Sequence, residues 1–273
     1  MVLGIDVGGS TTKIVGMCKQ DGCSGMMQVE AGDQITSAFG AFGKFTSTHN
    51  IPIGDIEKIM VTGVGASYLE GGMYNIPTQR VDEFMAIGLG GLHLANLRQA
   101  IILSAGTGTA LVKATPDGIN HLGGSGLGGG TLLNLAERFA GAHSFASVTS
   151  LATEGDLGQV DLRLSDISKV AIGNLPPTAT VSNFGNIKDT ATPGDISLGI
   201  MNMIFESIGM MAVFATLNDT VKDIVIIGSL AAFPHCKNVF DMLGKLYPHI
   251  RFHIPTDAIF ATAFGAALWG MNH

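Results

Sequence analysis

Residues 2–15 read VLGIDVGGSTTKIV, and this stretch decides how the rest of the chain is interpreted. An apolar run ends at Asp6, a Gly-Gly-Ser turn follows, and a second strand rich in β-branched residues carries Lys13. Glycines let the tip of such a hairpin approach a polyphosphate, while turn N–H groups, hydroxyls and the lysine supply donors. Asp6 is placed to hold Mg²⁺ through water. The alternative is an N-terminal hairpin with an incidental acid. The predicted phosphate contacts are Gly8, Gly9, Ser10 and Thr11.

A second stretch, residues 100–114, reads AIILSAGTGTALVKA and repeats the order of apolar strand, Gly/Thr-rich turn and apolar strand. Neither loop has the Gly-x-x-x-x-Gly-Lys-[Ser/Thr] form of a P-loop, so that class of nucleotide-binding protein is not indicated. Two such hairpins in one chain resemble the actin, hexokinase and Hsp70 superfamily of ATP-dependent phosphotransferases. The resemblance implies a two-domain, actin-like ATPase fold (ribonuclease H-like, α/β) with the active site in the interdomain cleft. It assigns phosphate contacts to Gly106, Thr107, Gly108 and Thr109.

Composition is compatible with this interpretation. With 273 residues, 46% apolar and 14% charged, the chain can fill the core of one large domain or of two domains sharing a cleft. Its net charge of −7 argues against a general nucleic-acid surface. Apolar runs are shorter than the ~18 residues of a membrane span, and no basic segment precedes the first strand, so neither a span nor a secretory signal is predicted. Three cysteines without metal-ligand spacing indicate reduced thiols in a cytoplasmic protein.

Strands and helices alternate along the chain, which is typical of an α/β fold. We expect a boundary near residue 116 that divides domains of residues 1–116 and 117–273. The last helix is expected to pack either within the second domain or back on the first. The apolar pattern also predicts a helix over 158–164.

A glycine-rich run, HLGGSGLGGGT at residues 121–131, precedes a predicted helix over 131–141. Glycines before a helix expose N–H groups at its positive end, where an anion binds favourably. The run is therefore interpreted as a further nucleotide contact, and a mobile lid is the alternative. The residues assigned to this contact are Gly128, Gly129 and Gly130.

Several segments together give a narrower resemblance that covers nearly the whole chain. Besides the two hairpins and the glycine run, they are VDEFMA at 81–86, VSNFG at 181–185, IIGS at 226–229 and AFGAA at 263–267. In order and spacing they resemble the type II pantothenate kinases. The resemblance implies transfer of the γ-phosphoryl group of MgATP to the primary hydroxyl of pantothenate, the first step of coenzyme A biosynthesis, by a cytoplasmic homodimer.

The resemblance also assigns roles to individual residues. Glu83 lies where the family has its catalytic glutamate, and a carboxylate near a primary alcohol can orient it and accept its proton. Lys13 and Asp6 complete the catalytic set. An acid in the first turn of a helix, favoured by the helix dipole, is the alternative for Glu83. The neighbouring Asp82 is interpreted as a helix-capping or solvent-facing acid, and Gly228 with Ser229 as part of the adenosine pocket.

One position departs from the family. His121 stands where the relatives have an arginine that helps to hold the acceptor, and a neutral histidine lacks the fixed fork of donors and the permanent charge. His121, Gly123 and Gly124 are assigned to the acceptor site, with a surface position at a strand–loop junction as the alternative for His121. The departure leaves a kinase of another small alcohol or a sugar open.

A different class of function is also open on the sequence. The first hairpin and VTGVG at 61–65 resemble the ATPase activators of 2-hydroxyacyl-CoA dehydratases, which hold an iron–sulfur cluster between subunits. Cluster ligation needs thiolates, and no cysteine lies between Cys23 and Cys236, which disfavours this class. A silent ATP-binding regulator is a further alternative, against which Asp6, Lys13 and Glu83 count.

Overall fold

Two five-stranded sheets with helices between them and on their outer faces form the computed structural model, which describes residues 1–19, 22–30, 32–69, 72–170 and 172–273. The strands are β1 (Val2–Val7), β2 (Thr11–Cys18), β3 (Gly22–Glu30), β4 (Lys58–Thr62), β5 (Thr78–Arg80), β6 (Ala100–Ala105), β7 (Thr109–Thr115), β8 (Gly118–Ser125), β9 (Leu162–Arg163), β10 (Thr180–Ser182), β11 (Asp223–Ile227) and β12 (Arg251–His253). The helices are α1 (Gln34–Thr48), α2 (Glu83–Ala95), α3 (Gly129–Ala140), α4 (Phe145–Thr153), α5 (Leu164–Ile167), α6 (Pro193–Thr216), α7 (Pro234–Leu246) and α8 (Ala261–Asn272).

The two large sheets have the same topology. The first has the order β3-β2-β1-β4-β5, and the second has β8-β7-β6-β11-β12. In each, the first three strands are antiparallel and the last two run parallel to the central strand. The expected α/β architecture of two related halves is thus confirmed, and each half contributes one hairpin.

The helices divide the core into layers. α1 covers the outer face of the first sheet through Phe42 and Phe45, which are almost fully buried. α6 is the central helix of the second half and packs with α3, α4 and α7 on the outer face of the second sheet. By length and composition α6 could cross a membrane, but 56% of its most apolar window is buried inside the protein. Its apolar character is therefore explained by the core.

Each of the two helices between the sheets, α2 and α8, packs on the sheet of the other half and not on the sheet whose strands precede it in the chain. α2 follows the strands of the first sheet, yet it packs on β6, β7 and β11 of the second. α8 follows the last strand of the second sheet and packs on β1, β2 and β4 of the first, one of the two expected positions. The boundary expected near residue 116 stays a prediction, and it would fall between the paired strands β7 and β8 of the second sheet. In sequence, the first element that packs in the second half is α2.

α2 and α8 pack backbone against backbone. A Cβ atom at Gly90 would overlap the carbonyl oxygen of Ala261, and one at Gly265 would overlap that of Ala86. Only glycine permits this separation, so the reciprocal pair fixes how the two inner helices cross.

The helix expected over 158–164 is also wrong. The segment instead contains a 3-10 turn at Leu157–Gln159, the short strand β9 and then α5. The fully buried Asp161 explains the difference, because its carboxylate accepts hydrogen bonds from Phe184 N (2.9 Å) and Thr180 Oγ1 (3.3 Å). These bonds tie the segment to β10, and a continuous helix could not supply them.

Candidate active site

The two hairpin loops meet across a cleft between the halves, where a cavity of about 880 Å³ lies. At its mouth the hydroxyl oxygens Ser10 Oγ and Thr107 Oγ1 are 3.3 Å apart. Most residues singled out in the sequence line this cavity. They are Asp6, Gly8, Gly9, Ser10, Thr11, Lys13, Glu83, Gly106, Thr107, Gly108, Thr109, Gly129, Gly228 and Ser229.

A row of polar side chains crosses the end of the first sheet. Asp6 is paired in register with Lys13 on β2 and with Thr62 on β4, and residues paired in this way share one face of a sheet. Lys13 is only 6% exposed, and within the described ranges no carboxylate lies within the 4.0 Å of an ion pair. The buried Thr62 Oγ1 likewise has no hydrogen-bond partner there. Burial raises the pKa of the Asp6 carboxyl, and the Lys13 charge partly offsets the rise.

The side chain that faces this row from the other wall is Glu83. It is the first residue of α2, whose N-terminal cap is Asp82, with Oδ1 accepting from Met85 N at 2.9 Å. The capping interpretation of Asp82 is confirmed. Burial raises the pKa of Glu83, the charges of Asp6 and Asp82 raise it further, and Arg80 lowers it. A raised pKa brings a carboxyl group closer to the range in which it exchanges protons efficiently.

The second loop is held by the start of α3. Gly129 N donates to Gly106 O (2.8 Å), Gly130 N donates to Thr107 O (3.0 Å), and Thr109 Oγ1 donates to Leu127 O (2.7 Å). The N–H groups of Gly129 and Gly130 are therefore already used within the protein, while the assignment of Gly128, Gly129 and Gly130 to the nucleotide stays a prediction. The N–H groups of Gly129 and Gly130 support the loop instead, and Gly128 and Gly130 do not line the cavity.

The residues assigned to the acceptor do not line the cavity either. His121, Gly123 and Gly124 belong to strand β8, whereas a strand–loop junction was the alternative expected for His121. His121 is exposed and stacks on Phe84, with ring centroids 3.9 Å apart and an interplanar angle of 9°. Gly123 has φ of +144°, and a Cβ on Gly124 would overlap Thr109 O. The local backbone geometry therefore explains why both positions are glycine.

Part of the lining comes from residues that sequence reasoning missed. α4 contributes Phe145, Thr149 and Ser150, and the segment before α7 contributes Phe233. Phe145 and Phe233 meet edge to face with centroids 5.7 Å apart. Nothing in the sequence indicated that α4 borders the cleft. Only the tertiary packing of α4 on α6 brings it there.

The two sheets and the cleft between them place this chain in the actin-like ATPase fold class. Solved structures with the same fold include the activator of the 2-hydroxyisocaproyl-CoA dehydratase from Clostridium difficile with bound ADPNP, with a TM-score of 0.70 and 15% identity over 99% of this chain and 94% of that one. Another is a ROK family glucokinase from Streptomyces griseus in complex with glucose and AMPPNP, with a TM-score of 0.63 and 12% identity over 100% and 99% of the two chains.

Within this class, the chain belongs to the Fumble family, whose model matches residues 93–236. A type II pantothenate kinase from Bacillus cereus is 25% identical over 287 aligned positions, which span 99% of this chain and 98% of that protein. A pantothenate kinase from Schizosaccharomyces pombe is 31% identical over 140 positions, 47% of this chain but only 35% of that protein. The match to the yeast enzyme is therefore local, whereas the bacterial one is end to end.

Proposed function

We propose that this chain is an ATP-dependent kinase that phosphorylates the primary hydroxyl of pantothenate to 4'-phosphopantothenate, the first step of coenzyme A biosynthesis. The observation that carries the proposal is the Glu83 carboxylate, which faces Asp6 in a cleft bordered by both glycine loops. The end-to-end similarity to the Bacillus cereus type II pantothenate kinase supports the choice of acceptor.

ATP fits the cleft with its phosphates between the two loops. Lys13 is buried, and although the charge of Asp6 lies on the neighbouring strand, no ion pair within 4.0 Å occupies the ammonium among the described residues, so its donors are available to an incoming phosphate. The aromatic pair of Phe145 and Phe233, with Gly228 and Ser229 beside it, offers an apolar wall and a turn for the adenosine.

The donors present also suit Mg²⁺, which prefers oxygen ligands and keeps several waters. Asp6 supplies a carboxylate, and the orphaned Thr62 hydroxyl lies in register beside it. We assign Asp6 to the ion, through water, and Mg²⁺ when bound would neutralise charge on the transferring phosphoryl group. The transferred group then meets an environment of fixed positive charge and loop donors, which is the main source of catalysis in phosphoryl transfer.

Glu83 acts as the general base in this scheme. Its carboxylate orients the acceptor hydroxyl and takes the proton as the oxygen attacks the γ-phosphorus and the β–γ bridging bond breaks. Its raised pKa makes it a better proton acceptor than an exposed glutamate. Closure of the cleft over both substrates would exclude water and limit hydrolysis of ATP.

We further propose a cytoplasmic homodimer. Free thiols at Cys18, Cys23 and Cys236 suit a reducing compartment. Exposed large apolar side chains are concentrated in one segment, at Ile167, Val170, Ile172, Leu175, Val181 and Ile187, and could be covered by a second copy. Light scattering coupled to size-exclusion chromatography tests the dimer, which a monomer at micromolar concentration would exclude.

The acceptor is tested by following ADP release with pantothenate, pantetheine and a panel of sugars at fixed MgATP. We expect turnover with pantothenate that exceeds ATP hydrolysis without acceptor, and a phosphorylated product by mass spectrometry. Turnover with a sugar alone would replace pantothenate by the sugar while keeping the kinase assignment. Absence of transfer to every alcohol, with ATP still bound, would reject the kinase.

A further inference from the structure

His121 is exposed and outside the cavity, yet it touches the element that carries Glu83. Its imidazole lies flat on the ring of Phe84, which directly follows Glu83 in the first turn of α2. Phe84 in turn packs against the buried cluster between α2 and the second sheet. The His121 ring therefore covers the solvent-facing side of the first turn of α2.

The backbone around His121 is built to aim it there. His121 pairs in register with Val112, whose side chain belongs to the same buried cluster, so both face α2. The pairing of β7 and β8 shifts between Leu111 and Val112, which leaves Leu122 unpaired as a bulge, and Gly123 follows with φ of +144°. Bulges of this kind re-aim side chains near active sites.

A second contact from the same strand fixes the same helix. Ile119 packs over Gly88, where a Cβ atom would lie 2.7 Å from Ile119 Cδ1. β8 is the edge strand beside β7, which starts at the second glycine loop. One strand of the second half thus touches α2 at two points, one helical turn apart, on the side away from α8.

We propose that His121 is a positioning residue, which holds Glu83 in place through the stack of its ring on Phe84 and does not bind the acceptor. The inference rests on the proposed role of Glu83 as general base. Its physical content is that a flat ring at position 121 is needed, whereas the charge and the hydrogen-bonding nitrogens of the histidine are not.

The first test compares His121→Ala, His121→Phe and the control Leu122→Ala, an exposed neighbour on the same strand. In His121→Ala we expect kcat to fall about tenfold, since small misplacements of a catalytic group are costly, with the acceptor KM within about twofold. His121→Phe, which keeps the ring, should recover most of kcat, and Leu122→Ala should match the wild type. A raised acceptor KM in both His121 variants, or full activity in His121→Ala, would overturn the proposal.

The second test does not need turnover. The ¹³Cδ resonance of Glu83, assigned by its absence in Glu83→Gln, should move or broaden in His121→Ala and return in His121→Phe, with ATP affinity unchanged in both. An unmoved resonance in His121→Ala would contradict the positioning role even if no acceptor were found. Full activity in Glu83→Gln would instead reject the proposed base, so the two failures are distinguishable.

Discussion

The two glycine loops hold equivalent places in the two sheets but contribute different things to the cleft. The first joins β1 to β2, and the strands beside it bring the charged pair Asp6 and Lys13. The second joins β6 to β7, where the equivalent pair is Ser104 and Ala110. The second loop is instead anchored by three hydrogen bonds to the run that starts α3. At the exposed tip of the first loop, the turn bond from Gly8 N to Thr11 O is 3.1 Å long, and Ser10 Oγ lies 3.3 Å from Thr107 Oγ1 of the second loop.

This difference indicates a division of labour between halves of one topology. In the proposed kinase, the first half would supply the charge that acts on the phosphoryl group, and the second would supply an anchored surface for the rest of the nucleotide. Glu83 follows the first half in the chain but sits on a helix that covers the second, so it faces the charged row across the cleft. Four substitutions separate these contributions.

The largest effect is expected from Glu83→Gln, which keeps the shape but cannot accept a proton. We expect kcat to fall by about 10²-fold or more, with ATP affinity within about twofold. The matched control is Asp82→Asn, because asparagine also caps a helix and removes the adjacent charge. Steady-state kinetics with calorimetric ATP binding decides the point, and a control that loses as much activity as Glu83→Gln would indicate a helix effect.

Lys13→Met tests the charge of the first loop. Loss of a charge-assisted contact should weaken ATP binding by about tenfold or more. Without ligand the same change removes the positive charge that partly offsets the burial of Asp6, so the Tm should fall by about 2 °C or more. The exposed Lys44→Met serves as control in both calorimetry and thermal unfolding. A higher Tm for Lys13→Met would show that the lysine does not stabilise Asp6.

Thr109→Val tests the anchored loop at nearly constant volume. It removes the 2.7 Å hydrogen bond to Leu127 O and should cost about 1 kcal/mol of stability, with a few-fold weaker ATP binding. Thr115→Val, at the far end of the same strand, loses only the longer 3.3 Å bond to Gly118 O and should leave ATP binding alone. Equal losses of affinity in both variants would mean that the loop is not specifically anchored.

The smallest effect is expected from Arg80→Ala, through pH. The Arg80 charge lowers the pKa of Glu83, so its removal raises that pKa and the base stays protonated to a higher pH. The acid limb of kcat/KM should therefore move to higher pH, with activity on the plateau within about twofold of the wild type. Arg98→Ala, at an exposed position before β6, should leave the limb unchanged. A shift to lower pH would reverse the sign of the interaction.

Sequence reasoning succeeded where chemistry and local geometry coincide. A Gly-rich turn between apolar strands must be a close-approach loop, so both hairpins and the acid of the first, Asp6, were predictable, as was the cap at Asp82. It failed where the use of a group depends on distant neighbours. Glycine N–H groups before a helix look free for an anion, and only the fold reveals that the carbonyl oxygens of Gly106 and Thr107 take them. The packing of α2 and α8 on the opposite sheets, and the position of α4 beside the cleft, likewise depend on tertiary contacts that the sequence does not reveal.

The reciprocal contact of Gly90 and Gly265 has a mechanical consequence. Two helices in backbone contact have no side-chain layer that could repack, so they cannot slide past each other as sheared elements do. Each of the two helices, α2 and α8, covers one sheet. The proposed closure of the cleft would therefore rotate the two halves about the axis where these helices cross. The backbone would then bend in the two segments that connect a strand of one half to a helix packed on the other, residues 81–82 between β5 and α2 and residues 254–260 between β12 and α8. Helix α8 is therefore part of the hinge about which Glu83 would approach the row formed by Asp6, Lys13 and Thr62.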